Sequence, residues 1–422
     1  MFCIRWTLTN LEKYMFQNKI KFWFNPLFVL FACSLIVLVS HGIRHSFGLF
    51  MLPITSDLSW GRAELSVALA TQNLMIGLVA PFAGALAAHW GAARTIALGG
   101  AVFALGILIM SQATAPTAMF ASAGLMVGLG LGACGLPLIL ACVSQVAPTQ
   151  KRSVWVGITT ASATGGQLTM LPLSQALITS YDWVFALLGL SILSGIIVPL
   201  ALSMSSAEKV GAGKDTSISI MEAIREAAVH RGFRLLTLGF FVCGFHVAFI
   251  AVHLPAYLVD NGASVSLGAK ALMLIALFNM AGAWGSGWLA GRISKKYLLS
   301  TIYLLRSLII LAFVILPMTE LTVILFASLL GLLWLSTIPP TLGLVAQIFG
   351  TRYMGILYGV VYLGHQVGSF TGVWLGGLIF DTTGDYVIIW VMAIALGLVS
   401  AGLHLPINDR PMERLSKLTS HQ

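Results

Sequence analysis

Twelve apolar runs, each near the roughly 20 residues a helix needs to cross a bilayer, extend along almost the whole of this 422-residue chain. They cover approximately 27–52, 64–88, 95–113, 117–142, 153–178 and 183–203, then 233–258, 268–291, 298–317, 320–345, 353–379 and 386–406; we number them spans 1 to 12. Soluble globular proteins carry about 25% charged residues. Here the figure is 9%, with 58% hydrophobic residues, so polar side chains are too few to cover a surface in water. A soluble enzyme, a nucleic-acid binder and a disordered scaffold are excluded. The expected fold is an all-α membrane protein of twelve transmembrane helices in two six-helix bundles.

The hydrophilic stretch from Met204 to Arg234 divides the spans six and six, and a short surface helix is expected around Ile218–His230. The predicted organisation is an N-terminal segment 1–26, a bundle 27–203, a central loop 204–232, a bundle 233–406 and a tail 407–422. Of the 23 Lys and Arg, 19 lie in the N-terminus, the even-numbered loops and the C-terminus; Arg62 and Lys270 lie in odd-numbered loops, and Arg44 and Arg306 within spans. Basic residues collect on the cytoplasmic side, so both termini are predicted to be cytoplasmic. The net charge of +9 is scattered over these loops and forms no nucleic-acid patch. No cleavable signal follows the basic, aromatic N-terminus. Cys33, Cys134, Cys142 and Cys243 sit in apolar runs, and with Cys3 show no disulfide or metal spacing; no metal or cofactor is expected.

The two halves repeat each other. Gly42-Ile-Arg44-His-Ser-Phe47 and Leu52-Pro53 align at an offset of 202 on Gly244-Phe-His246-Val-Ala-Phe249 and Leu254-Pro255. At the same offset Pro137 falls on Pro339, Gln145 on Gln347 and Thr149 on Thr351. Gly84-Ala-Leu86-Ala87 falls near Gly287-Trp-Leu289-Ala290. Such a parallel repeat predicts two bundles rocking about a central site near the midplane.

This pattern resembles the major facilitator superfamily. Its signature loop between spans 2 and 3 has the form G-x-L-A-D-R-x-G-R-[RK], and stands here as Gly84-Ala-Leu86-Ala-Ala88-His89-Trp-Gly91-Ala-Ala-Arg94. The acid is replaced by Ala88 and the first base by His89. Within the superfamily the chain is similar to bacterial members of the monocarboxylate porter branch, on Gly42-Ile-Arg-His-Ser-Phe-Gly48, Trp60-Gly-Arg-Ala-Glu64, Gly364-His-Gln-Val-Gly368 and Gly376-Gly-Leu-Ile-Phe-Asp381. The branch often carries a carboxylate-binding Arg in span 8, after an Asp or Asn. Here Asn279 is present and the Arg position is Ala283. The resemblance implies a secondary transporter, and it makes Asn279, Tyr362 and Gln366 candidate substrate contacts beside the residues below.

Ionisable residues inside a membrane are expensive and mark function by default. All 14 Asp and Glu lie in loops, tails or span ends, and the Gly-Pro motif of drug–proton antiporters is missing from span 5, which disfavours efflux of organic cations. Arg44, near the middle of the membrane, stays charged and offers a planar fork that fits a carboxylate; the alternative is that it snorkels or bonds backbone carbonyls. Arg306 in span 9 is its rival. His41, Arg44 and Gly48 share a helical face with His45 nearby, His246 shares one with Phe249 and His253, and Tyr358, Tyr362, His365 and Ser369 form a stripe on span 11. These stripes line a cavity or make interhelical hydrogen bonds. Histidine titrates near neutral pH, so with no midplane carboxylate His246 and His365 are the candidate proton carriers. The repeat predicts that His246 lies opposite Arg44 across the cavity.

The expected function is secondary transport of a small organic anion, a monocarboxylate above all, by alternating access with a proton. The expected partners are the substrate, protons and the lipid of an inner membrane, with the chain a monomer. Efflux of a neutral or hydrophobic compound is the alternative that Ala283 supports. A non-transporting sensor on the same fold is a third reading, for which the tail 407–422 leaves little room.

Overall fold

Backbone groups in hydrocarbon must be paired within the protein, which leaves helices as the economical form for apolar runs of this length. The computed structural model describes residues 26–148, 151–204, 220–350 and 354–411, and is helical with no strand among them. Spans 1 to 6 are Pro26–Asp57, Arg62–Trp90, Ala92–Met110, Pro116–Val146, Arg152–Ser180 and Trp183–Leu202. Spans 7 to 12 are Arg231–Asp260, Val265–Ala290, Lys295–Ile315, Glu320–Phe349, Met354–Thr383 and Val387–His404. A surface helix, Ile220–Val229, stands close to where one is predicted. Most of the central loop, the N-terminal segment through residue 25 and the tail from residue 412 lie outside the described residues.

Ten spans are long and apolar enough to cross a membrane on composition alone; spans 5 and 11 are not among the ten. At 29 and 30 residues they are long enough, but Ser, Thr, Gln and Gly dilute their apolar character. Packing explains this. Span 5 lies along span 1 and span 8, and span 11 lies along span 7 and span 2, and Thr164, Gln167, Gln366 and Ser369 on them are buried. Contacts 1–5 and 2–11 map onto 7–11 and 8–5 when the halves are exchanged, as the sequence repeat requires. Its glycines mark the closest approaches. A Cβ on Gly42 would collide with the Gly166 carbonyl oxygen, and one on its repeat equivalent Gly244 would collide with the His365 carbonyl oxygen. No side chain fits at either crossing.

Spans 4 and 10 are interrupted. Span 4 breaks at Gly135, and span 10 breaks between the helices Glu320–Leu333 and Ile338–Phe349. Pro339-Pro340 accounts for the second break, because two successive prolines lack the N–H groups that would continue the helical bonds across it. The break leaves carbonyls with no helical partner. Arg306 supplies one: buried at 1% exposure, its guanidinium donates from Nε to the Leu333 oxygen at 3.0 Å and from Nη2 to the oxygens of Leu333 and Trp334. Asn279 Oδ1 accepts from the Leu335 amide at 3.0 Å on the other side of the same break.

The orientation is testable. Reporter fusions at Lys209 and at the C-terminus are expected to read cytoplasmic, and one near Asp182 external. A reversed reading at any of the three breaks the assignment.

Candidate substrate site and outer gate

Arg44 is on span 1 and half-buried. Its Nη2 donates to Asn73 Oδ1 of span 2 at 2.6 Å, and Asn73 is held in turn by its own Nδ2, which donates to the Leu69 carbonyl at 2.8 Å. The Asn73 carbonyl accepts from Gln366 Nε2 of span 11 at 2.6 Å, and Gln366 Oε1 meets His365 Nδ1 at 3.0 Å. A carbonyl-type oxygen only accepts, so Nδ1 of His365 carries the hydrogen. His365 also stacks on Tyr362, with ring centroids 5.6 Å apart and planes at 10°, and packs on Phe240. A continuous polar chain therefore runs Arg44–Asn73–Gln366–His365, crossing from one bundle to the other through groups that are otherwise buried. Among the described residues no carboxylate pairs with Arg44. The arrangement holds a cation that can take a planar anion, next to a group that can take a proton.

Four candidates, Arg44, Tyr362, His365 and Gln366, are thus brought together; three are not. His45 turns back on its own helix, with Nδ1 2.8 Å from the His41 oxygen and its ring stacked on His41. Asn279 spends its oxygen on the break in span 10. His246 does not face Arg44. It is 1% exposed with Nε2 2.7 Å from the Ala393 carbonyl of span 12, inside the C-terminal bundle. The repeat fixes equivalent positions along two helices but not the rotation of each helix, so equivalent residues need not oppose one another. Asn73 was not anticipated, although an Asn in the middle of an apolar span is a signal for interhelical bonding.

A second cluster closes the opposite end, on the side of the odd-numbered loops, which we call outer. Arg62, at the start of span 2, forms a two-pronged bridge to Asp260 at the end of span 7, Nη1 to Oδ2 at 2.6 Å and Nη2 to Oδ1 at 2.7 Å. Nη1 also donates to Tyr386 Oη at 2.8 Å, and the guanidinium lies 3.7 Å above the Phe380 ring. Asp381, at the end of span 11, accepts from the backbone amides of Arg62 and Ala63 at 2.8 and 2.7 Å. It caps span 2 across the bundle boundary, where a carboxylate suits the helix dipole. The charge count places Arg62 on the outer side but could not reveal its partner, 198 residues away.

Toward the basic loops several glycines of the spans at the bundle boundary stand uncrowded. Gly77 of span 2 still packs on Gln366 and Leu363, whereas Gly84 and Gly359, further along spans 2 and 11, have no atom within 4 Å of a Cβ position. Gly157 and Gly285 on spans 5 and 8 are equally open. The signature loop stands at this end: Gly84 uncrowded, Leu86 and His89 exposed, and Gly91 ending span 2 at φ 100°. Its carbonyl accepts from Thr95, one residue beyond Arg94.

Two bundles thus meet in a polar chain and in a bonded outer cluster. The sequence pattern of the Major Facilitator Superfamily matches residues 30–373. The chain belongs to this superfamily. It is 25% identical over 407 residues to an uncharacterized MFS-type transporter, YcxA, of Bacillus subtilis, covering 91% of this chain and 95% of that one. It is 26% identical over 394 residues to monocarboxylate transporter 13 of Rattus norvegicus, covering 90% and 87%. In fold it is similar to a bacterial homologue of the human lysosomal transporter Spinster, in an inward-facing and occupied conformation, with a TM-score of 0.72 and 14% identity over 91% of this chain and 98% of that one. A single-site mutant of the nucleoside transporter NupG gives a TM-score of 0.74 with 14% identity, covering 90% and 99%. This major facilitator protein is a multi-pass membrane transporter and not an enzyme.

Proposed function

We propose that this transporter moves a small organic anion, a monocarboxylate above all, together with a proton across the inner membrane of a bacterium, working as a monomer by alternating access. The observation that carries this reading is Arg44: a guanidinium inside the membrane, with no carboxylate partner among the described residues, on a hydrogen-bond chain that joins the bundles. A transported carboxylate is the economical counter-ion, since a planar fork binds it through two parallel bonds. The names of the mammalian relatives favour the same substrate class. Ala283, where the branch often has Arg, leaves Arg44 as the cation on this chain of bonds. Asn73 positions it, and Tyr362 and Gln366 border the anion.

Proton coupling is assigned to His365. Its imidazole is on the same chain of bonds as Arg44, so anion and proton meet on one network. His246, turned toward span 12, is set aside. In proteoliposomes, an inward pH gradient is expected to drive accumulation of labelled monocarboxylates by the wild type. His365→Gln is expected to lose accumulation while keeping exchange of labelled for unlabelled substrate. If the Gln variant still concentrates substrate under the gradient, His365 is not the carrier.

A further inference from the structure

One buried histidine belongs to neither the substrate chain nor the bundle interior. His253 of span 7 is 0% exposed and lies directly beneath the Arg62–Asp260 bridge. Its Nε2 is 2.9 Å from the Val373 carbonyl oxygen of span 11 and 3.5 Å from Ser66 Oγ of span 2, and its Nδ1 is 3.0 Å from Tyr386 Oη of span 12. It therefore touches both bundles.

The bonds fix its protonation state. The Val373 carbonyl only accepts, so Nε2 carries a hydrogen. Tyr386 Oη already accepts from Arg62 Nη1, so its own hydrogen is free to go to Nδ1, which must then be bare. Donation runs in one direction, Arg62 to Tyr386 to His253 to Val373, and every group is satisfied only when the imidazole is neutral. A proton on Nδ1 would remove the acceptor for the Tyr386 hydroxyl and would set a second cation close to the Arg62 guanidinium. The charged and titratable groups around the ring are Arg62 of span 2, Asp381 of span 11 with Glu64 of span 2 beside it at Gly61, Tyr386 of span 12, and Tyr257 and Asp260 of its own span. Of the carboxylates, Asp260 is committed to Arg62 and Asp381 to the amides of Arg62 and Ala63. Neither bonds the imidazole.

We propose that His253 is a proton-binding site built into the outer gate, and that the gate closes only over the neutral ring. When the outer side opens, the ring meets external water and can take a proton; closure requires that the proton leave. This rests on the alternating-access reading above but not on the identity of the substrate. The ratio of closed to open outer gate then falls by up to about tenfold for each pH unit once the pH is below the pKa of the exposed imidazole.

The test reads the gate without substrate. Spin labels are placed on Ser56→Cys and Ser264→Cys, exposed positions at the outer ends of the two bundles, with Cys3→Ser; Cys33, Cys134, Cys142 and Cys243 are buried. The protein is reconstituted in nanodiscs and the distance distribution recorded between pH 8 and pH 5. Arg62→Gln, which breaks the bridge, supplies the reference for an open outer side. The wild type is expected to show the short distance at pH 8 and a growing share of the long one toward pH 5. His253→Gln is expected to stay short throughout, with His253→Asn as the second variant should Gln fail to fold. A wild type with one unchanged distribution from pH 8 to 5, while Arg62→Gln gives the long distance, overturns the role of His253 alone. So does a His253→Gln protein that shifts as the wild type does. Absence of a second distance under every condition, Arg62→Gln and added monocarboxylate included, overturns the alternation on which the inference rests.

Discussion

Arg44→Ala is expected to abolish anion uptake while leaving expression and folding nearly intact. The argument is one of magnitude. A hydrogen bond to a charged group contributes about 1.5–3 kcal/mol, so losing two parallel ones costs about 3–6 kcal/mol, or at least a hundredfold in affinity. The folded protein loses little by comparison. Among the described residues Arg44 makes one side-chain bond, to Asn73, and Asn73 keeps its bond to Leu69 and its link to Gln366. Arg44→Lys is expected to restore only a small part, because an ammonium is a point charge and cannot reproduce the fork. Uptake of labelled monocarboxylates into proteoliposomes, beside the elution profile of the purified variants, separates transport from folding. Wild-type uptake by Arg44→Ala would return Arg44 to a structural role.

Arg306→Leu is expected to do the reverse and destabilise the protein itself. Burying a cation is costly, and replacing a buried ion pair by apolar residues is often neutral. Among the described residues no carboxylate pairs with Arg306. Its partners are the Leu333 and Trp334 carbonyls at the break in span 10 and the sulfur of Cys243 at 3.4 Å. Leucine leaves those carbonyls buried and unbonded, at about 1–3 kcal/mol each. Loss of about 2–6 kcal/mol should appear as a large fall in the melting temperature of the detergent-solubilised protein and in membrane yield. Arg306→Lys, able to reach one carbonyl, should fall between. A leucine variant that melts with the wild type would mean that the break is held by Asn279 and Pro339-Pro340 without help.

What the sequence made legible follows the range of the interactions concerned. Hydropathy is a local property, so twelve spans, the basic side and the repeat could be read directly. Gly42 and Gly244 fall at equivalent helix crossings as their alignment implies. Arg44 and His365 could be picked out because polar groups in apolar helices are few, and Tyr362 and Gln366 through the family resemblance. Rotation about a helix axis is set by packing between helices, which no local pattern records. That is why His246 faces span 12 and Asn279 faces the break in span 10. The outer gate was beyond reach for a related reason: the Trp60-Gly-Arg-Ala-Glu64 stretch announces Arg62, but Asp260, Asp381 and Tyr386 arrive from the other bundle, and His253 gains its meaning only from them. Span 5 and span 11 show the converse. Their Ser, Thr and Gln weaken them as membrane spans, and both stand at the boundary between the bundles, span 5 against span 8 and span 11 against span 2.

The central claim is that the negative charge of the substrate is what the site between the bundles recognises. Counterflow with a monocarboxylic acid and with its amide, matched in size and shape and with no pH gradient across the proteoliposome, isolates that charge from every other feature of the molecule. The account predicts that preloaded acid drives rapid entry of labelled acid, and that preloaded amide drives none. Exchange of the amide at the same rate as the acid would contradict it, and would point instead to a carrier of neutral compounds in which Arg44 meets no substrate.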